Sequence, residues 1–154
     1  MIIVGVDPGS TRTGVAVFDS SDRTWLHVQS IELSGLSESV RLIKLEGYLG
    51  ILFDVFRPDQ LAVERLVWGR NHNNLLQIAE CRGVVKALAY RKGMRIFEYY
   101  PTQVKASLSG YGQESKSGLL RFIQAETDFK MDPVFDDTSD AMALALVHSM
   151  MGEL

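Results

Sequence analysis

The sequence predicts an α/β domain in which helices flank a mixed five-stranded sheet. Two observations predict this class. Three β-rich apolar runs follow one another in the first part of the chain, and helical and strand patterns then alternate before the chain ends in helices. The chain has 154 residues, 46% hydrophobic and 23% charged, so it is expected to fold as a single domain over residues 1–154.

Three antiparallel strands are expected in the N-terminal part. Residues 2–7 and 13–19 are rich in β-branched and apolar side chains, and the turn-forming residues between them indicate a hairpin. A third β-rich run at 25–32 follows another turn at 20–23. Because short connections join antiparallel neighbours, these three strands should lie side by side.

Helical and strand patterns alternate in the middle of the chain. Apolar residues recur at steps of three and four between Ser37 and Arg57, and Pro58 ends the pattern, which indicates an amphipathic helix. In the helix expected from Leu75 to Tyr90, apolar residues fall on nearly every face, which favours burial on all sides. The other expected elements are strands at 60–64 and 94–100, helices at 103–108 and from about residue 115, and a last helix from about 137 to 150.

Composition limits the classes of function. No stretch is long enough to span a bilayer and no basic leader precedes the first strand, so a cytoplasmic protein is expected. Cys81 is the single cysteine; it cannot form an internal disulfide and is expected to be a small buried hydrophobic residue. With only three histidines besides, the chain is a poor candidate for a zinc protein.

For nucleic-acid binding, the distribution of charge along the chain is more informative than the net charge. A net charge of −3 disfavours a nucleic-acid partner at first, because Lys and Arg supply most of the affinity for phosphates. Residues 65–121, however, carry 10 basic and 3 acidic side chains, whereas residues 1–64 carry 5 and 9 and residues 122–154 carry 1 and 7. A basic middle region between two acidic ends is compatible with binding to phosphates.

Four carboxylates stand at the ends of predicted elements. Asp7 and Glu64 each end an apolar strand, and Asp137 and Asp140 share one face of the first turn of the last helix. Each alone has an ordinary explanation as a turn former, a strand end or a helix N-terminal acid. Together at one sheet edge they would repel one another by ~3 kcal/mol per pair, which divalent cations would relieve. Their oxygens favour Mg²⁺ or Mn²⁺, and two ions per site would suit cleavage of phosphodiesters.

Four motifs follow one another over almost the whole chain. They are Gly5 to Gly9 followed by Thr13-Gly14; Ala62 to Glu64; Tyr100 to Lys105 followed by Gly110 to Gly112 and Lys116; and Asp137 to Ala145. In order and type they resemble the motifs of the RuvC-type Holliday junction resolvases, which are crossover junction endodeoxyribonucleases of the ribonuclease-H-like superfamily. The fold implied by this resemblance is a ribonuclease-H-like mixed five-stranded sheet flanked by helices.

The resemblance implies a catalytic role for six residues. Asp7, Glu64, Asp137 and Asp140 would bind the metal ions. Lys105 and Lys116 match lysines that approach the scissile phosphate, where they would neutralise developing charge. Asp136 lies four residues before Asp140 and competes with Asp137 as a ligand; the motif favours Asp137, with Asp136 capping the helix.

The resemblance also implies a substrate and an assembly. The protein would resolve four-way (Holliday) DNA junctions by paired symmetric nicks in recombination and DNA repair. It would act as a homodimer, with one face of the helix at 75–90 at the two-fold interface, because two equivalent sites suit a nearly two-fold substrate. Branch-migration helicases are candidate partners, and no membrane partner is expected.

The loop after Glu64 is expected to contact DNA. Members of the family commonly have an aromatic residue three positions after this acid, where the present chain has Val67. The neighbouring Trp68 would either stack on unpaired bases or belong to the core. The predicted DNA-binding residues are Arg65, Trp68, Arg70, Asn71, Lys105 and Lys116, and further candidates for phosphate contacts are Arg82, Lys86, Arg91, Lys92 and Arg95.

Three other functions remain open from the sequence. The same fold could serve a ribonuclease-H-like nuclease that acts on RNA, hybrids or other branched nucleic acids. The chain could also be a junction-binding module whose carboxylates are only structural. An actin-like or sugar-kinase-like ATPase begins with a similar acidic strand and glycine turn, but it needs two domains to close on a nucleotide, and 154 residues supply one.

Overall fold

The computed structural model of the protein describes residues 1–67, 74–108, 116–127 and 138–151. Within them, five strands form one sheet in the order β3-β2-β1-β4-β5. The pairs β1–β2 and β2–β3 are antiparallel, and the pairs β1–β4 and β4–β5 are parallel. The strands are β1 Ile2–Asp7, β2 Arg12–Asp19, β3 Thr24–Glu32, β4 Gln60–Glu64 and β5 Arg95–Tyr99. The predicted mixed five-stranded sheet is confirmed.

Five helices flank this sheet in the described residues. They are α1 Glu38–Phe56, α2 Leu75–Arg91, α3 Pro101–Leu108, α4 Lys116–Glu126 and α5 Ser139–Met151. The end of α1 lies where Pro58 predicts it: Arg57 adopts a left-handed conformation with φ of 47°, and its N–H donates to the carbonyl of Phe53. In contrast, α3 begins two residues earlier than expected, because proline is well suited to the first position of a helix.

The two faces of the sheet carry separate cores. On one face, α1 and α2 pack against β-strand side chains that include Val4 and Val6. On the other face, α4 and α5 pack against side chains that include Ile3 and Phe18. Because the central strands are buried on both faces, they are continuously apolar in sequence and do not alternate with polar residues.

The helix that is buried on all sides is α5, from Ala141 to Ser149, and the prediction that α2 is buried on all sides is wrong for the single chain. In α2, Cys81 and Val85 are buried, and the prediction for Cys81 is confirmed, but Leu76 is 77% and Tyr90 64% exposed. The two helices differ in burial because they lie at different places on the sheet. Helix α5 lies over β1, β2 and β4 in the middle of the sheet, whereas α2 packs beside α1 and against the edge strand β5.

Apolar composition does not make α5 a membrane segment. It has 13 residues, and about 20 are needed to cross the hydrocarbon layer. Among the residues that the structure describes, no helix combines the length and the hydrophobicity that crossing a membrane requires.

A glycine in β1 allows α5 to approach the sheet closely. A Cβ atom placed on Gly5 would lie 2.0 Å from the carbonyl oxygen of Ala141 and 3.0 Å from the backbone nitrogen of Ala145. Both are backbone atoms of α5, so no side-chain rotation could relieve the overlap. Only glycine fits at this position without moving the helix.

We therefore expect Gly5→Ala to destabilise the protein. The added methyl group must push α5 away from β1, and overpacking of this kind costs about 1–3 kcal/mol. The midpoint and slope of urea unfolding would measure the loss. Gly47→Ala is the matched control, because a Cβ there meets nothing within 4 Å, and alanine in an exposed helix should raise stability by up to about 1 kcal/mol. Equal midpoints for Gly5→Ala and the wild type would contradict the proposed packing constraint.

Candidate active site

Three of the predicted site residues lie at the same edge of the sheet. Asp7 is the last residue of β1 and Glu64 the last residue of β4. These strands are parallel, with Val6 paired to Val63, so the two carboxylates leave the sheet side by side. Asp140 is the second residue of α5, next to the contact between Ala141 and Gly5, and it lies within electrostatic range of both acids.

The pKa values of two of these acids are strongly raised. Burial, and then repulsion by Asp140, raise the pKa of Asp7 from 3.8 to about 6. Burial, and then repulsion by Asp7 and Asp140, raise the pKa of Glu64 from 4.5 to about 7, while Lys105 opposes this shift. Because these groups interact, they titrate together. The site therefore gathers buried carboxyl groups that disfavour one another's ionisation.

The three carboxylates do not by themselves form a complete ligand set. Within residues 1–67, 74–108, 116–127 and 138–151, no three Asp, Glu, His or Cys side chains are grouped closely enough to hold an ion. Asp137, the fourth predicted ligand, and its competitor Asp136 lie outside the described residues. The described part of the site is therefore a group of three interacting acids at one sheet edge.

A cleft of about 770 Å³ opens beside two of these carboxylates. Its lining includes Asp7 and Glu64, together with the turn that follows β1. The apolar part of the lining, the apolar wall, is formed by Leu66, Val67, Leu75, Ile78, Tyr100 and Pro101. The cleft thus combines two carboxylates with an apolar wall.

The turn after β1 is held by a second close approach. A Cβ atom on Gly9 would lie 2.1 Å from the carbonyl oxygen of Arg12. The N–H of Gly9 donates to the hydroxyl oxygen of Thr13 at 3.4 Å, and Thr13 is fully buried. This tight turn fixes the backbone that follows Asp7, and it explains why the motif contains both a glycine and a threonine.

Comparison with known proteins identifies the family. The family model described as crossover junction endodeoxyribonuclease RuvC matches residues 3–148. The chain belongs to this family. The RuvC of Caldicellulosiruptor saccharolyticus is 32% identical over 152 residues, which cover 96% of this chain and 92% of the relative. The RuvC of Ruminiclostridium cellulolyticum is 35% identical over 151 residues, which cover 96% of this chain and 91% of the relative.

A solved structure supports the same family at the level of the fold. The structure described as T. thermophilus RuvC in complex with Holliday junction substrate superposes with a TM-score of 0.88 and 26% identity. The match covers 99% of this chain and 94% of the other. The predicted ribonuclease-H-like fold, the resemblance to RuvC-type resolvases and the assignment to crossover junction endodeoxyribonucleases are confirmed.

The structure locates some of the predicted DNA-binding residues in this RuvC-family chain. Arg65 is exposed and lines the cleft, with its guanidinium carbon 4.7 Å from the ring centre of Tyr100. Lys105 is exposed on α3, close enough to lower the pKa of Glu64. Lys116 begins α4, but its side chain is not among those described. Trp68, Arg70 and Asn71 lie outside the described residues.

Four of the five further basic candidates have carboxylate partners. Arg82 pairs with Glu98 at 2.9 Å, and its Nε donates to the backbone carbonyl of Glu64 at 3.1 Å, so it braces the end of β4. The remaining pairs are Lys86 with Glu98, Arg91 with Glu46, and Lys92 with Asp54. Their proximity to these acids, which lie in β5 and α1, weakens the case that they contact phosphates.

A buried histidine outside the set of predicted site residues connects the elements of the site. Nε2–H of His148 in α5 donates to Oε1 of Gln60 in β4, and the hydroxyl of Tyr99 in β5 donates to its Nδ1. Burial, and then the charge of Arg95, lower the pKa of His148 to about 4, so the ring is neutral at pH 7. These bonds join the helix of Asp140 to the strand of Glu64. The available signal was a lone polar ring in an otherwise apolar helix.

The raised pKa values predict a pH-dependent stability for the metal-free protein. A carboxyl group whose pKa is higher in the folded than in the unfolded state stabilises the fold at low pH, and this stability is lost as pH rises through the folded pKa. We therefore expect the free energy of unfolding, measured with chelator, to fall between about pH 4 and pH 7. The shift at Asp7 alone corresponds to about 3 kcal/mol.

Two variants test the origin of this loss. Asp7→Asn removes one of the repelling charges, so it should abolish much of the fall, whereas Asp22→Asn, in the exposed turn before β3, should leave it unchanged. Mg²⁺ should restore stability to the wild type at pH 8 far more than at pH 5. An unchanged pH profile in Asp7→Asn would show that the crowding of carboxylates at this edge does not limit stability.

Proposed function

We propose that the protein resolves four-way DNA junctions by metal-dependent, paired and symmetric nicks in recombination and DNA repair. The observation that carries the proposal is the gathering of Asp7, Glu64 and Asp140 at one edge of the sheet, where Asp7 and Glu64 line an open cleft, in a chain of the crossover junction endodeoxyribonuclease family. The similar T. thermophilus protein is described in complex with a Holliday junction substrate, which supports junction DNA as the substrate here.

Divalent cations fit the chemistry of this site. Its donors are carboxylate oxygens, which favour Mg²⁺ or Mn²⁺, and burial, followed by mutual repulsion, raises the pKa values of Asp7 and Glu64 above their usual range. Asp7, Glu64 and Asp140 would hold the ions together with Asp137, two ions per site. When bound, such ions supply the charge that activates an attacking water and stabilises the leaving oxygen.

Other side chains would bind and position the phosphodiester. Lys105 lies near Glu64 and is exposed, so its ammonium group could neutralise charge on a phosphate held beside that acid. Lys116 is proposed for the same role from the family motif. Arg65 borders the cleft next to Glu64 and would bind the neighbouring backbone phosphate. The apolar wall would limit the access of bulk water.

Paired nicks require two sites, and α2 offers a surface for a second copy. Leu76 and Tyr90 are largely exposed, and Gly83 and Ala87, which are also exposed, lie between them on the same helical face. A stripe that combines apolar and small residues suits close packing of a helix against its symmetry mate. This supports a homodimer formed through α2. Branch-migration helicases as partners and a cytoplasmic location stay predictions.

Cleavage of an immobile four-way junction with mapped cut sites tests the proposal. In Mg²⁺ the wild type should nick two opposed strands at symmetric positions, and it should cut a linear duplex and an RNA–DNA hybrid far more slowly. Chelator should abolish the nicks. Asp7→Asn should bind the junction within a few-fold of the wild type but cut it at least ~1,000-fold more slowly, because several kcal/mol of charge stabilisation are lost.

Each unexpected outcome identifies the part of the proposal that fails. Preference for the hybrid would overturn the junction as the substrate and favour an RNA-directed nuclease of the same fold. Wild-type cutting by Asp7→Asn would overturn the metal site. Binding without any cutting by the wild type would favour a junction-binding module.

A further inference from the structure

We propose that Tyr100, backed by the guanidinium group of Arg65, is a stacking platform for a nucleobase next to the scissile phosphate. The inference rests on the proposed function, because it requires a nucleic-acid strand in the cleft. Tyr100, the first residue of the motif that runs to Lys105, would then bind a base.

The pair has the geometry of a cation–π contact at the edge of the active site. The guanidinium carbon of Arg65 lies 4.7 Å from the ring centre of Tyr100, and both side chains border the cleft that contains Asp7 and Glu64. Tyr100 is 40% exposed, so its ring can be reached by a ligand. An exposed aromatic ring beside a cation is the combination that binds unpaired bases and their phosphates.

Backbone hydrogen bonds hold the two residues in place. The N–H of Arg65 donates to the carbonyl of Tyr99 at 2.7 Å, which extends the pairing of β4 with β5 by one residue. The N–H of Tyr100 donates to Oε1 of Gln103 at 2.8 Å, and the N–H of Gln103 donates back to the carbonyl of Tyr100 at 2.9 Å. The backbone beneath the platform would therefore lose little conformational entropy when a ligand stacks on it.

The platform lies next to Glu64 along the chain. Arg65 directly follows Glu64, so their Cα atoms are about 3.8 Å apart. A strand whose phosphate lies beside Glu64 would thus present its adjoining base near the platform. Leu66, Val67 and Pro101 continue the same wall and offer an apolar surface that suits the face of a base better than a phosphate.

This arrangement selects among nucleic acids. In an intact duplex the faces of the bases are covered by their neighbours, and exposing one costs a few kcal/mol. At a branch point the continuity of stacking is interrupted, so exposing the face of a base costs less. A platform beside the catalytic acids would therefore favour branched substrates at the step of binding near the cut.

Fluorescence of 2-aminopurine tests the platform directly. The base analogue replaces the nucleotide next to the mapped cut site of a four-way junction, and binding is followed in the Asp7→Asn background so that no cutting occurs. Stacking on Tyr100 should quench the fluorescence. Tyr100→Phe, which keeps the ring, should retain the quenching, whereas Tyr100→Leu should lose it. Arg65→Gln, which leaves the ring without its backing, should weaken it.

Cleavage kinetics give an independent readout in the otherwise wild-type protein. At subsaturating junction, Tyr100→Leu should cut roughly ten-fold more slowly, as expected for the loss of one base–aromatic stack, and Tyr100→Phe should match the wild type. Thermal melting would check that both variants fold. Unchanged quenching and unchanged rates in a folded Tyr100→Leu would overturn the platform and leave the proposed function intact. A wild type that neither binds nor cuts junctions would overturn both.

Discussion

The contact between Gly5 and the backbone of α5 is the constraint on which the site depends. Because glycine lacks a Cβ atom, α5 can lie directly against β1 at Ala141 and Ala145. Asp140, one residue before this contact, is thereby held beside Asp7. At the other end of α5, His148 bonds to Gln60 and Tyr99, which fixes the helix against the parallel strands. A small residue and a buried hydrogen-bonded ring together determine where the acids meet.

This close packing makes two acids unfavourable to ionise in the metal-free protein. Burial and repulsion hold the pKa values of Asp7 and Glu64 well above their usual range, so neither acid stabilises the metal-free fold at neutral pH. Lys105 is the one cation that shifts the pKa of Glu64 among the described residues. An apolar residue at either position would be easier to bury. Retaining acids there is expected of a site that gains its stability when cations bind.

Most of the fold followed from the sequence because local signals and tertiary packing agree. Apolar runs bounded by turn residues located all five strands to within about a residue, and Pro58 located the end of α1. Apolar composition failed for α2, since it does not reveal that α5 covers the middle of the sheet. Likewise, the pairing of Arg82 with Glu98 and the contact of Arg65 with Tyr100 arise between elements that only the parallel order β1-β4-β5 brings together.

Anomalous diffraction from crystals soaked in Mn²⁺ tests the central claim most directly, namely that β1, β4 and α5 bring their acids around divalent ions. We expect an anomalous peak about 2 Å from a carboxylate oxygen of Asp7 and from an oxygen of Glu64 or Asp140. The peak should be absent from crystals of Asp7→Asn. Saturating Mn²⁺ with peaks elsewhere on the protein, and none within coordinating distance of Asp7, would contradict the claim.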